Sequence, residues 1–129
     1  MPIRIVQLGT PRAHGEGVRF GTVRRPPRGV RKSDYGTGNW YDVWLPMLSP
    51  SAPLLRYALV HTDSPGWRSF HRRFLAELKR PDAAQALDVL AALSHTADFS
   101  LGCYCDDERR CHRSILRSEL ERRGADIVG

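Results

Sequence analysis

The chain has 129 residues, a net charge of +6 and 41% hydrophobic residues. This length fits a single domain, and because no apolar run approaches about 18 residues we expect no membrane-spanning segment. The start of the chain lacks the apolar stretch of a signal peptide, and three cysteines clustered within residues 103–111 argue against a disulfide scaffold, so the sequence predicts a cytoplasmic protein.

The first two predicted strands lie near the N-terminus. Residues 3–9, IRIVQLG, are rich in β-branched residues and predict a buried strand, and residues 17–23, GVRFGTV, predict a weaker one. Residues 24–39 contain two prolines and three glycines and predict a loop, whose length favours a functional role. Trp40 and Trp44 stand four residues apart, which favours one helical turn.

The middle of the chain is predicted to be helical. Residues 54–60, LLRYALV, predict a short helix. Ser64 is followed by proline, which predicts an N-cap, and apolar residues at helical spacing predict an amphipathic helix over residues 65–79. Asp82 is the candidate cap of a further helix over residues 83–95.

The C-terminal part returns to a strand. Residues 98–105, DFSLGCYC, predict a buried strand, residues 111–124 predict a helix ending at glycine, and residues 125–129 predict a last short strand. Strands alternating with helices predict an α/β fold, a small single domain over residues 1–129 with a mainly parallel sheet of about three to four strands flanked by helices. Ligands bind such sheets at the carboxyl ends of the strands, so the loops after the second and third strands are expected to border one cleft.

Positive charge is concentrated near the N-terminus. Residues 1–33 contain eight Arg or Lys residues and one acid, Glu16. A local excess of this kind attracts phosphate groups, including those of nucleic acid. A nucleic-acid-binding module would use Arg24, Arg31 and Lys32, with Trp40 as a surface for base stacking. The alternative is a solvated, arginine-rich loop that has no partner.

The segment SLGCYCDDERRCHRSIL, residues 100–116, carries all three cysteines. A structural zinc site needs four converging ligands, which Cys103, Cys105, Cys111 and His112 formally offer. Cys103 lies within the predicted buried strand and is better explained as a core residue, and the spacing matches no common zinc finger. A zinc-stabilised domain using Cys105, Cys111 and His112 is therefore the weaker alternative.

A reactive thiol is a second interpretation of this segment. Cys105 ends the predicted strand and Cys111 opens the predicted helix, where the helix N-terminus and nearby basic side chains lower the pKa of a thiol. The three acids at 106–108 act in the opposite direction. Cys105 and Cys111 are then candidate nucleophiles or redox thiols, with His112 as the proton donor or acceptor.

Anion binding is the third interpretation. A helix start offers free backbone N–H groups, and Arg113 would add donors beside them. Arg25 and Arg28 would approach from the 24–29 loop, so that the cleft joins this loop to residues 105–113. The sequence thus favours an anion- or nucleotide-binding protein. The more specific version of this prediction is an enzyme whose activity depends on a thiol. We expect a small anionic ligand or nucleic acid as partner, and no resident cofactor.

Two stretches resemble a known family. Residues 24–57 contain a Pro-Arg-Gly turn, a tryptophan and a later Pro-Ser step, and residues 103–124 contain Cys-His-Arg at a helix start after a cysteine-ended strand. Together with WRSFHRRFLAEL, residues 67–78, they resemble domain of unknown function family 488, the YeaO-like proteins. The resemblance implies a small cytosolic α/β domain, most often bacterial, and no particular reaction. The positions that match the pattern are Arg25, Pro27, Arg28, Gly29, Cys105, Cys111, His112 and Arg113.

Overall fold

The structure, a computed structural model, describes residues 2–128. Its centre is a four-stranded sheet made of β1 (Ile3–Gln7), β2 (Val18–Gly21), β3 (Val43–Trp44) and β4 (Phe99–Cys103). The four helices are α1 (Ala52–Val60), α2 (Ser64–Leu78), α3 (Pro81–Leu93) and α4 (His112–Arg122). The strand order is β1-β4-β2-β3 and every pairing is parallel, so the predicted α/β class is confirmed.

Strand β4 is the middle of the sheet and sets the position of the cysteine segment. All five of its residues are buried, because β1 and β2 flank it and helices cover it. Its last residue, Cys103, pairs in register with Gln7, the last residue of β1. Gly21, the last residue of β2, pairs with Gly102. The carboxyl ends of three strands therefore meet at one edge.

The main core lies between the sheet and the helices. Helix α2 contributes Phe70 and Phe74 to it, and α4 contributes Leu116 and Leu120. These side chains pack against residues of β4 such as Leu101. Burying an apolar side chain of this size stabilises a fold by roughly 1.5–3 kcal/mol, so the amphipathic faces of the helices hold the sheet edge in place.

A buried ion pair fixes the chain between β1 and β2. The guanidinium of Arg19, which is fully buried, donates to both carboxylate oxygens of Glu16, at 2.8 and 3.1 Å. It also donates to the carbonyl oxygens of Thr10 and Asn39, and the hydroxyl of Ser100 donates to Glu16 at 2.6 Å. Every member of the pair thus has partners, which removes much of the cost of burying charge.

Three local predictions are wrong for identifiable reasons. Asp63 caps α2 by accepting the N–H of Gly66 at 2.8 Å, and Ser64 is already helical. Asp82 lies inside the first turn of α3 and does not cap it, because the helix begins at the preceding proline. Trp44 lies in β3, where its indole donates to the carbonyl of Val23 at 2.7 Å, so Trp40 and Trp44 share no helical turn.

At the C-terminal side, Ile127 forms one parallel bridge with Ile3 in place of the expected strand over residues 125–129. Gly129, the last residue of that prediction, lies outside the described residues. No helix in residues 2–128 combines the length and apolarity that crossing a bilayer requires.

Candidate functional site: a thiol pair at the sheet edge

Two buried sulfur atoms meet where β4 ends and α4 begins. Cys103 is the last residue of β4, and Cys111 is the N-cap residue of α4. Their side chains are 3% and 2% exposed, and the two Sγ atoms lie 3.0 Å apart. Cys105, in the intervening loop, is exposed. The sheet edge and the helix start therefore form a pair of thiols from Cys103 and Cys111, which we call the thiol pair.

Each sulfur of the thiol pair accepts a hydrogen bond from a nitrogen. The backbone N–H of Cys105 donates to the sulfur of Cys103 at 3.3 Å. The Nε–H of Arg113 donates to the sulfur of Cys111 at 3.4 Å, and Nδ1 of His112 lies 3.6 Å from the same sulfur. Because donors of this kind favour a charged acceptor, the surroundings stabilise a thiolate on Cys111.

Arg113 is buried beside the thiol pair and all of its contacts point inward. Its two terminal nitrogens donate to the carbonyl oxygens of Val6 and Cys105, both at 2.6 Å. Burial alone would lower the pKa of Arg113, but its hydrogen bond to Cys111 and the nearby sulfurs outweigh burial and raise it. The guanidinium therefore stays cationic, fixes the end of β1 to the cysteine segment and faces the sulfur of Cys111.

His112 is held in one orientation by β2. Its Nε2 lies 2.6 Å from the carbonyl oxygen of Thr22 and 3.2 Å from the hydroxyl of the same residue. A carbonyl oxygen can only accept, so Nε2 carries a proton. Nδ1 then accepts a hydrogen bond when the ring is neutral and donates one when the ring is charged. The ring also packs edge-on against Phe74, with the centroids 5.7 Å apart.

The three thiols differ in acidity. The side chains of Cys103 and Cys105 hydrogen-bond to Cys111 and, with a contribution from His112, hold its pKa well below the usual range despite burial. The same contacts with Cys105 and Cys111, together with burial, raise the pKa of Cys103. For Cys105 the contact with Cys103 lowers the pKa, but the contact with Cys111 and burial raise it overall. Of the two members of the thiol pair, Cys111 is therefore the more acidic.

A pocket of about 230 Å³ opens beside the thiol pair. Its lining residues are Val23, Arg24, Arg25, Ser49, Leu55, Cys103, Tyr104, Cys105 and His112. The hydroxyl of Tyr104 donates to the carbonyl oxygen of Arg25 at 2.7 Å and so joins the two loops that border it. Cys103 is the member of the thiol pair that lines this cavity, which we call the thiol pocket.

The arginines predicted for anion binding occupy different surroundings. Arg25 is exposed at the thiol pocket, while Arg28 is exposed but does not line it. Arg113 does not line the pocket, and each of its three guanidinium nitrogens donates to a partner inside the fold. The structure therefore brings Arg25, Cys105 and His112 to one cavity and leaves Arg28 outside it.

The residues predicted for nucleic-acid binding also differ in their surroundings. Arg24 donates to the carbonyl oxygens of Pro46, Ser49 and Pro50 and so fastens the neighbouring loop. Arg31 pairs with Asp34 at 3.3 Å, and Lys32 is exposed. Trp40 is half-buried and packs edge-on against Tyr104, with the centroids 6.1 Å apart.

The structure brings together a different set of possible metal ligands from the one that the sequence predicted. Cys103, Cys111 and His112 each offer one ligand atom, and these three atoms lie within 4.8 Å of one another. Cys105, which the sequence favoured, is not in this group. Two sulfurs and an imidazole nitrogen are a donor set suited to a soft divalent ion such as zinc.

Sequence reasoning missed three residues of the site. Cys103 is buried as expected, but it also belongs to the thiol pair, and its place at the carboxyl end of the central strand was the available signal. Thr22 orients His112, and Tyr104 connects the two loops. No sequence signal indicated the last two roles, because they depend on contacts between residues 90 and 79 positions apart.

A parallel sheet with two thiols, a histidine and an arginine at its carboxyl edge defines a small α/β domain with a candidate thiol site. Residues 3–124 match the family model DUF488-N3a, described as the active DUF488-N3 subclade. The chain therefore belongs to this subclade of the DUF488 family, and the resemblance seen in the sequence is confirmed. No curated protein matches the chain, and no solved structure does.

Proposed function

We propose that the protein is a thiol-dependent enzyme that acts on a small anionic substrate in the thiol pocket. The observation that carries this proposal is the thiol pair, whose sulfurs lie 3.0 Å apart beside the buried guanidinium of Arg113. A thiolate is a strong nucleophile, and a buried cation with hydrogen-bond donors is the environment that activates one. The family description supports the proposal by naming the subclade active, without naming a reaction.

The arrangement assigns different roles to the two cysteines. Cys103 lines the pocket, so its sulfur is the one that reaches a substrate. As that sulfur bonds to the electrophilic atom of the substrate, its proton moves to Cys111, 3.0 Å away. Cys111 thus acts as the base, and the negative charge passes from Cys111 to the leaving group. Nδ1 of His112, 3.6 Å from Cys111, is the next group that can hold the proton.

Arg25 is the residue that would attract an anion into the pocket. It lines the cavity, and within residues 2–128 its guanidinium has no hydrogen-bond or ion-pair partner. Its backbone is held through Tyr104, so its side chain starts from a fixed point at the pocket entrance. Arg24 braces the opposite loop through three carbonyl oxygens. A cation without a partner at the wall of the thiol pocket favours small anionic electrophiles over neutral ones.

The proposal is tested with two alkylating agents of similar size and different charge. Iodoacetate is anionic and iodoacetamide is neutral, and both modify thiolates. We expect the thiol pair to react at neutral pH with an apparent pKa below the free value of about 8.5. We also expect Arg25→Gln to slow iodoacetate selectively, with Arg28→Gln as the matched control because Arg28 lies outside the pocket.

Assignment of the reactive sulfur needs single substitutions. Cys103→Ser and Cys111→Ser should each remove the fast reaction at neutral pH, whereas Cys105→Ser should keep it. Peptide mass mapping identifies the modified residue. If every cysteine titrates near the free value or reacts only in denaturant, the thiol function is wrong.

Nucleic-acid binding stays a prediction, with fewer available charges than the sequence suggested. Of the basic residues in 1–33, Arg12 pairs with Asp42 at the surface, Arg19 pairs with Glu16 in the interior, and Arg24 bonds to backbone carbonyls. Electrophoretic mobility shifts with DNA and RNA at low salt test it, since phosphate contacts weaken steeply as salt rises. The absence of a complex at low salt excludes this alternative.

A further inference from the structure

The spacing of the thiol pair allows chemistry beyond nucleophilic attack on a substrate. The Sγ atoms of Cys103 and Cys111 contact each other directly, 3.0 Å apart. A disulfide bond is about 2.05 Å long, so bond formation needs the sulfurs to approach by about 1 Å. Cys111 precedes α4 in extended backbone and follows an exposed loop, so this small shift falls on the loop and not on the core.

We propose that Cys103 and Cys111 are a site of reversible oxidative modification, at which a hydroperoxide entering the thiol pocket converts the thiol pair to an intramolecular disulfide. The inference rests on the proposed thiol function for its reactivity, because it uses the same two sulfurs, which lie 3.0 Å apart beside the thiol pocket. It names the class of oxidant and the two sulfurs that are joined. It leaves Cys105 as a free thiol.

The size of the cavity selects the oxidant. Both sulfurs are buried, and the thiol pocket of about 230 Å³ leads to Cys103. Hydrogen peroxide is small enough to reach this sulfur. A bulky disulfide such as oxidised glutathione meets the exposed Cys105 first.

The first step is oxidation of the sulfur that lines the pocket. Cys103 attacks one oxygen of hydrogen peroxide and its proton passes to Cys111. The O–O bond breaks and hydroxide leaves, so Cys103 becomes a sulfenic acid. The peroxide accepts two electrons in this step, and the sulfur of Cys103 loses them.

The second step joins the two sulfurs. Cys111 attacks the sulfur of Cys103, the S–S bond forms, the S–O bond breaks, and the hydroxyl leaves with the proton of Cys111 as water. One thiol, one thiolate and one peroxide thus give one disulfide, one water and one hydroxide. A low-molecular-weight dithiol returns the pair to the reduced form by exchange.

Oxidation would switch the proposed enzyme off. The nucleophile at the pocket wall is consumed, and Arg113 loses the charged sulfur that accepts its Nε–H. The contacts of Arg113 with the carbonyl oxygens of Val6 and Cys105 do not involve the sulfur, so the sheet edge stays fixed. The disulfide is therefore expected to change activity without unfolding the domain.

Disulfide mapping on the full chain tests the inference. The reduced protein is treated with one equivalent of hydrogen peroxide, blocked with N-ethylmaleimide and analysed by intact and peptide mass spectrometry. We expect a product that lacks two hydrogen masses, contains the Cys103–Cys111 linkage and carries one label on Cys105. Dithiothreitol should restore three labelled cysteines.

Single substitutions distinguish the Cys103–Cys111 disulfide from other oxidation products. Cys105→Ser should still form the same linkage, while Cys103→Ser and Cys111→Ser should form none. Circular dichroism checks that each variant folds, and the wild-type peptide map alone decides if one does not. A linkage to Cys105, an intermolecular disulfide, a sulfinic acid as the main product, or stoichiometric bound metal that blocks oxidation each overturns the inference.

Failure of this inference is distinguishable from failure of the proposed function. A thiol pair with a lowered apparent pKa in the alkylation experiment but no linkage after peroxide rejects only the disulfide. A linkage formed by thiols that titrate near the free value rejects the thiol-dependent enzyme and keeps the modification site.

Discussion

Glu16→Gln should reveal how strongly the buried ion pair supports the sheet. Glutamine keeps the size of the side chain and removes its charge, which leaves the fully buried Arg19 without a counter-ion. Removing one partner of a buried pair costs about 3–5 kcal/mol in the free energy of unfolding. The pKa of Glu16 in the folded protein gives a second value for this free energy.

The pKa of Glu16 measures the same interaction. Burial alone would raise it, but hydrogen bonds from Arg19, Ser100 and the backbone of Ala13 outweigh burial and lower it from 4.5 to about 2. One pKa unit corresponds to about 1.4 kcal/mol, so the carboxylate stabilises the fold by roughly 3 kcal/mol at neutral pH. Because the folded pKa is the lower one, this stability is complete above about pH 4.5 and is lost as the pH falls towards 2.

Urea unfolding followed by circular dichroism between pH 7 and pH 2 gives the required free energies. The wild-type value should fall by roughly 3 kcal/mol more than that of Glu16→Gln across the acid range. Asp34→Asn is the matched control, since the Arg31–Asp34 pair is solvent-exposed and is expected to contribute less than about 1 kcal/mol. Parallel wild-type and Glu16→Gln curves from pH 7 to pH 2 would refute the assigned role of Glu16.

Three further predictions concern the thiol site. Arg113→Lys keeps the charge but loses the planar guanidinium that donates to two carbonyl oxygens and a sulfur. The free energy of unfolding should therefore fall by about 2–4 kcal/mol, and the apparent pKa of the thiol pair should rise in the alkylation assay. An unchanged thiol titration would contradict the role of Arg113. Thr22→Val removes the hydroxyl that bonds to the carbonyl of Gly102 and to His112. The free energy of unfolding in urea should fall by about 1 kcal/mol, while Thr22→Ser should keep the wild-type value. An equal fall in both variants would contradict a role for the hydroxyl. Tyr104→Phe releases the carbonyl of Arg25 and should reduce the preference for iodoacetate over iodoacetamide without moving the thiol titration; an unchanged preference argues against a fixed position for Arg25.

Local pattern predicted the elements whose hydrophobic face is long and regular. Helix α2, with aromatic residues at helical spacing, and the wholly buried β4 lie close to their expected limits. The two-residue strand β3 was missed, because its conformation depends on pairing with β2 and on the bond from Trp44 to Val23. Tertiary contacts of this kind outweigh the weak helical preference of two tryptophans spaced four residues apart.

The position of the Cys-His-Arg segment at the sheet edge was predictable from the sequence, and several of its contacts were not. Cys-His-Arg at a helix start after a buried strand indicated the correct edge of the sheet. The inward orientation of Arg113 was not predictable, because it depends on the carbonyl of Val6, 107 residues away in the sequence. The place of Cys103 in the thiol pair was not predictable, because burial in a central strand already explains a free thiol without any functional role.

The central position of β4 has a consequence for biosynthesis. β4 pairs with both β1 and β2, although the ribosome makes those two strands long before it reaches residue 99. Until then the two early strands lack this shared partner, and unpaired edges expose a nascent chain to aggregation. Cys103 is the last residue of β4, Cys105 and Cys111 follow it, and Arg113 comes next. A growing chain therefore acquires its thiols and the strand that encloses them within one short interval of translation, so that the sulfurs enter a nearly complete fold soon after synthesis.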